Sequence, residues 1–332
     1  MDATVITGKK TGMELIRMIC LLVAVSVVAF VLITKAPIDP LTSYIGSNST
    51  LSQEAKDEIT EYWGLKEPLP KRFSTWAIHV LHGDLGTSIT YKKPVRQVIR
   101  ERFSYSFVLM LSAWVLSGIL GFFLGILCGF YPESIFDKGI KVFCLMLKSA
   151  PTFWLGLLLL SIFAVNLGWF PIGMAVPIGK LADEVTLGDR IYHLVLPVLT
   201  LTLVSISETT LYTRQKTIDI LSSDFILYAR ARGESTRQLM TRHVLKHVAI
   251  PAITVQFSSF SELFSGMALA ENVFAYPGIG TAITAAALNA DVPLLLGISI
   301  FSALFVFSGN LIANVLYYVL DPRIREGAED GR

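Results

Sequence analysis

Residues 224–251 read DFILYARARGESTRQLMTRHVLKHVAIP and lie between two long apolar runs. Arg230, Arg232, Arg237, Arg242 and Lys246 crowd this short stretch. Basic loops beside membrane spans resist translocation, so the stretch is expected in the cytoplasm. Ala229, Ala231 and Gly233 alternate with Arg230 and Arg232, and Pro251 follows after a long helical interval. Small residues let another surface approach the backbone, and arginines offer forked contacts to carboxylates. A solvated basic loop between two spans would explain the same charges.

Composition around that loop sets the class. Hydrophobic residues make up 53% of the 332 and charged residues 16%, whereas soluble chains carry about 25% charged residues. The reading is an all-α polytopic membrane protein. A net charge of +2 carries no signal for a nucleic-acid partner. Cys20, Cys128 and Cys144 are dispersed in apolar runs without CxxC spacing, which points to neither a disulfide framework nor a metal site.

The chain then reads as six spans with both ends inside. Lys9, Lys10 and Arg17 precede an apolar run at 18–33, which is longer than a signal-peptide core and lacks an A-x-A site, so a retained helix is expected. With its N-terminal tail this helix makes up 1–35. Residues 36–104 are polar, punctuated by Pro37, Pro40, Gly46, Pro68 and Pro70, and are expected outside. Within them 52–63 reads as a short helix, Asn48-Ser49-Thr50 is a glycosylation sequon by pattern only, and His79 with His82 lack a third metal ligand.

The second span is expected at 106–130, where Gly118, Gly121, Gly125 and Gly129 fall on nearly one face and favour close packing. A third at 142–167 is expected to kink at Pro151. After a Gly- and Pro-rich outer segment at 168–193 comes a fourth, 194–212, with Glu208 and Arg214 near its inner end, where long side chains reach water.

The fifth is expected from Ala249. There Thr254, Ser258, Ser261, Glu262 and Ser265 step by three or four and would share a helix face. A carboxylate within a membrane helix is costly and should face a water-filled cavity, so this stripe is the candidate translocation pathway, and Glu262 the one weak candidate for touching a metal. Pro277-Gly278 then breaks the helix, and alanine-rich 281–289 is too short to span. The last span is expected at 293–320.

Four segments carry a resemblance. Ala229-Arg230-Ala231-Arg232-Gly233 with Arg242-His243 and Pro251 resembles the cytoplasmic loop of ABC importer permeases, in particular the peptide/nickel branch. Glu234 departs from the apolar residue usual after that glycine. Gly83-Asp84-Leu85-Gly86-Thr87-Ser88 with Pro94-Val95 resembles the segment leading into that branch's second span. Glu271, Asn272, Phe274, Pro277, Gly278 and Gly280 resemble its outer gate, and Asp321-Pro322-Arg323-Ile324-Arg325 its cytoplasmic end.

The resemblance implies a type I importer permease core at 105–322, a coupling loop at 214–248, and a cytoplasmic tail at 323–332. It implies ATPase-coupling residues Asp224, Tyr228, Ala229, Arg230, Ala231, Arg232, Gly233 and Arg237. It also implies partners: a second homologous permease, two ATP-binding subunits that carry ATP and magnesium, and an extracytoplasmic binding protein, all at the cytoplasmic membrane of a bacterium or archaeon. Ser261-Glu262-Leu263 and the Glu271–Tyr276 stretch are similar to nickel permeases, so nickel or a nickel chelate is expected ahead of di- or oligopeptides.

No chemistry of its own is expected from the chain. It lacks a GxxxxGK[ST] loop to cradle ATP. His243 and His247 have helical spacing, but Val244 stands where a zinc protease needs glutamate. A secondary transporter is the reading of a different class, and it would need ion-coupling residues near the midplane.

Overall fold

A computed structural model describes residues 3–35, 67–181 and 183–320, and these are helical with irregular connections. The expected short helix at 52–63, the sequon and the 321–332 tail lie outside the described residues. The chain divides into two compact units, 1–106 with 277–308 and 107–276 with 309–332.

In the first unit, α1 (Ala3–Lys35) carries an apolar window at Leu15–Leu32 of which only 6% is buried. An apolar surface left this bare suits a lipid solvent, because a helix satisfies its own backbone. Helix α2 (Leu69–Leu81) starts at a proline pair, Pro68 and Pro70, whose missing N–H groups are orphans at a helix start anyway. Its Phe73 and Trp76 close on Phe30 of α1, with ring centroids 5.4 and 5.2 Å from Phe30.

Helix α3 (Val95–Phe130) begins eleven residues before the expected span. A tight turn feeds it, with Ser88 N–H bonded to Lys93 O and Val95 N–H to Gly86 O. Val95, Val98 and Ile99 pack with Ile279, Ala282 and Ala286 of α11 (Ile279–Leu288) and with Leu294 and Ile298 of α12 (Val292–Leu320). Helix α11 is the short apolar helix expected after the Pro-Gly turn.

Asp291, fully buried, clamps this unit. Its Oδ2 accepts from Ser88 Oγ at 2.6 Å and Thr90 N–H at 2.9 Å, and its Oδ1 accepts from Leu294 N–H at 3.2 Å. Asp291→Ala should strand three donors and cost about 3 kcal/mol. Thermal unfolding in detergent checks this, and an unchanged midpoint would remove the clamp.

In the second unit the expected third span is not one kinked helix. Helix α4 (Ile135–Ser149) and α5 (Thr152–Leu159, continued by a π-helical turn Leu160–Asn166) meet at 110°. Proline disfavours helical geometry in the residue before it. Ala150 accordingly sits extended at φ −86, ψ 130, and the helix ends there instead of bending.

Helix α6 (Leu187–Leu221) opens with a reciprocal cap between Thr186 and Asp189, accommodates Pro197, and outruns the expected span at both ends. Helices α7 (Asp224–Ala231) and α8 (Thr236–Leu239) follow, then a π-helical turn at Met240–Val244, and then α9 (Leu245–Ser258).

The expected fifth span is also divided: α9 ends at Ser258 and α10 (Phe260–Val273) begins after Ser259, each 14 residues long. At the break the Gln256 carbonyl, a ladder acceptor in an unbroken helix, is also taken by Trp114 Nε1–H and Ser259 Oγ–H, both at 2.9 Å. Among the described residues four helices are long and apolar enough to cross a membrane, or five if the bent α4–α5 pair is one span, against the six expected.

Candidate functional site

The basic stretch folds as a capped helix–turn–helix. Ile226 and Ala229, three apart on α7, are its buried residues and join Ile126, Leu239, Val244 and Val248 in one apolar cluster. That anchors α7 and turns Asp224, Leu227, Tyr228, Arg230 and Arg232 outward. Leu227 is 67% and Tyr228 66% exposed, an apolar tip ringed by arginines.

The helix stops at Gly233, whose φ of +85 suits glycine. Gly233 N–H bonds Arg230 O at 2.9 Å and Glu234 N–H bonds Ala229 O at 3.2 Å. This is the paired C-terminal closure that a left-handed glycine permits. Ser235 then caps α8 in a reciprocal arrangement with Gln238. Of the expected coupling residues, Ala229 is core, while Asp224, Tyr228, Arg230, Ala231, Arg232, Gly233 and Arg237 are exposed.

Two residues that stood out in the sequence find local partners here. Glu234 Oε2 lies 3.0 Å from His243 Nε2, tying the turn to the π-helical segment. His247 Nδ1 is 2.7 Å from His243 O, so the histidine pair serves the loop's own hydrogen bonding. Among the described residues no group of three His, Cys, Asp or Glu could hold a metal ion, His79 and His82 included.

The polar stripe is divided at Ser259, with Thr254 and Ser258 on α9 and Ser261, Glu262 and Ser265 on α10. Thr254, Ser258 and Ser265 each donate to a backbone carbonyl four residues earlier. Ser261 Oγ donates to Asn310 Oδ1 at 2.6 Å. Glu262 lines a cavity of about 30 Å³, walled by α4, α6 and α10 with Lys148, Ser205, Ser207, Glu208 and Ser259 around it. Glu208 was expected at a helix end in reach of water; α6 continues thirteen residues beyond it, to Leu221.

The expected outer segment also takes a definite form. Within the second unit Glu271 and Phe274 are buried and Asn272 is exposed. Tyr276 N–H bonds Glu271 O at 2.8 Å, and Phe274 O accepts from Met174 N–H at 2.8 Å. A Cβ on Gly173 would lie 2.3 Å from Phe274 O, so the backbones touch there only because residue 173 is glycine. Within the first unit Gly278 and Gly280 are buried beside Pro277, and Ile279 N–H bonds the buried Ser106 hydroxyl at 2.8 Å.

Two features escaped the sequence. Arg214, expected near the inner end of its span, is half-buried and pairs with Asp137, with Nε–Oδ1 at 2.5 Å and Nη2–Oδ2 at 2.6 Å. The other is the company of Glu262: Glu208 and Lys148 come from 54 and 114 positions away in the chain. Helical spacing reports neighbours on one helix only.

A family model described as "Binding-protein-dependent transport system inner membrane component" matches residues 121–326. The oligopeptide transport system permease protein AppB of Bacillus subtilis (strain 168) is 33% identical over 305 residues, 92% of this chain and 95% of that protein. A protein of Sinorhizobium fredii named "Probable peptide ABC transporter permease protein y4tP" is 31% identical over 313 residues, covering 94% and 97%.

Proposed function

Because the chain belongs to the family of binding-protein-dependent transport system inner membrane components, we propose that it is a permease subunit of an ATP-driven peptide importer. It works by alternating access beside a second permease, with two ATP-hydrolysing subunits and an extracytoplasmic binding protein. The observation that carries the coupling role is α7: a short helix anchored by Ile226 and Ala229, terminated by Gly233, and presenting Leu227, Tyr228 and flanking arginines to solvent. Such a rigid apolar tip can transmit motion from a docked subunit into α6 and α9.

For cargo, peptides replace nickel as the favoured reading. The two relatives above carry oligopeptide and peptide in their names, and the nickel expectation gains no support from them. The outer segment at Glu271–Tyr276 and the Glu262 region are proposed as gate and pathway on the strength of their resemblance and placement.

Gly233→Val gives a clean test. No heavy atom lies within 4 Å of the position a Cβ would take, so packing is spared. The left-handed backbone nevertheless strains a substituted residue by about 1–2 kcal/mol and loosens the end of α7. ATP-driven peptide uptake by the complete transporter in vesicles should fall at least tenfold, roughly, at unchanged membrane level. Uptake indifferent to Gly233→Val and to ATP would mean a secondary carrier. Gene-dependent nickel uptake untouched by excess peptide would restore the metal reading.

A further inference from the structure

In the cavity between α4, α6 and α10, charged side chains from three separate helices of the second unit converge without a salt bridge. Half-buried Glu208 of α6 and exposed Glu262 of α10 contribute two negative charges to its lining and exposed Lys148 of α4 one positive. No salt bridge joins these three side chains to each other or to any described residue. Ionisable groups on membrane helices are expensive unless they face water or a partner. The net charge of the lining is therefore −1.

A second observation points into the same space. Ser207 lines the cavity, is 1% exposed, and its Oγ has no hydrogen-bond partner of good geometry; the weakly bonding Cys144 thiol lies beside it. A buried hydroxyl left this way costs free energy unless something occupies the adjacent space. Ser205 and Ser259 add two more hydroxyl oxygens to the wall.

Size and charge together select the occupant. A volume of about 30 Å³ admits one or two water-sized groups, not a whole peptide. A divalent ion would leave the lining at net +1, whereas a single monovalent cation neutralises it. A primary ammonium is water-sized, carries one charge, and has three N–H donors for carboxylate and hydroxyl oxygens. We propose that this cavity is a subsite for one primary ammonium group of the peptide cargo, held by Glu208 and Glu262 with Ser207 orienting it and Lys148 setting the charge balance. The proposal rests on the peptide-importer reading above.

The test uses the complete transporter, purified through this chain and reconstituted with its binding protein. The probe is radiolabelled alanine peptides of two to five residues, whose only ammonium is the N-terminus. Glu208→Gln and Glu262→Gln should each lower ATP-driven uptake about tenfold. Lys148→Met combined with Glu262→Gln returns the lining to −1 and should recover uptake to within about threefold of native, a rescue that a purely structural role would not give. Native uptake with unchanged glutamine variants, or no recovery in the double variant, overturns the subsite and leaves the importer reading standing. No uptake by the native complex overturns the importer reading and the subsite with it. Should the glutamine variants fail to assemble, carbodiimide labelling of Glu208 and Glu262 in the native complex decides. Protection by an alanine peptide supports the subsite, and its absence overturns it.

Discussion

Replacing Arg214 by methionine is expected to cost about 3–5 kcal/mol and to leave little folded protein in the membrane. Asp137 is fully buried and Arg214 only 12% exposed at the side chain, and the guanidinium meets the carboxylate as a two-pronged fork. Removing the arginine strands a buried carboxylate at the start of α4. The same carboxylate also receives Glu133 N–H at 2.9 Å, in a turn where Glu133 sits at φ 62. Asp137→Asn should be milder, since an amide oxygen still accepts one prong. The double variant Asp137→Leu with Arg214→Met should recover most of the loss, because replacing both partners of a buried pair removes the uncompensated charge. Glu133→Gln is the contrast: Glu133 is 69% exposed and 3.9 Å from Arg214, so its loss should be worth less than about 1 kcal/mol. Unfolding midpoints in detergent would check the series. If Arg214→Met matched Glu133→Gln, the pair would be ornamental.

That pair also marks how far the sequence could be read. Apolar runs announced α1, α3, α6 and α12, and the glycine ladder announced a packed face on α3. Each of these signals is local: hydropathy over a window, or spacing along one helix. The departures arise where another part of the chain decides. Ser259 divides the fifth expected span because Trp114, 142 positions from Gln256, reaches its carbonyl. Arg214 is drawn into a pair because Asp137, 77 positions away, meets its guanidinium. Glu262 gains Glu208 and Lys148 by helix packing alone. Pro151 is the exception, since its effect on Ala150 is local and legible. The kink expectation weighed the proline's own missing N–H and neglected the residue before it.

The glycine face of α3 supports the second large prediction. A Cβ on Gly129 would lie 2.5 Å from Thr217 Cβ and 2.7 Å from Arg214 O, and one on Gly125 2.5 Å from Thr213 Cβ and 2.7 Å from Thr210 O. The obstacles include backbone of α6, which cannot step aside as a side-chain tip can. Gly129→Ala should therefore cost about 3 kcal/mol, the top of the range for overpacking. Gly125→Ala should cost as much. Gly118 faces the Gln256 side chain at 3.1 Å, which can yield, so Gly118→Ala should cost less. Gly139 on α4 has nothing within 4 Å of its Cβ position, and Gly139→Ala should stabilise by about 0.5–1 kcal/mol through the unfolded chain. Sequence spacing left open whether the glycine face meets its own chain or a second subunit. The contacts with Thr213 and Thr217 place it within the chain, which sets a sharp expectation. Gly129→Ala should lower the unfolding midpoint of this chain purified alone, before any partner is added. A variant whose isolated stability matched native, with only complex assembly impaired, would move the glycine face to a subunit interface and refute the α3–α6 packing.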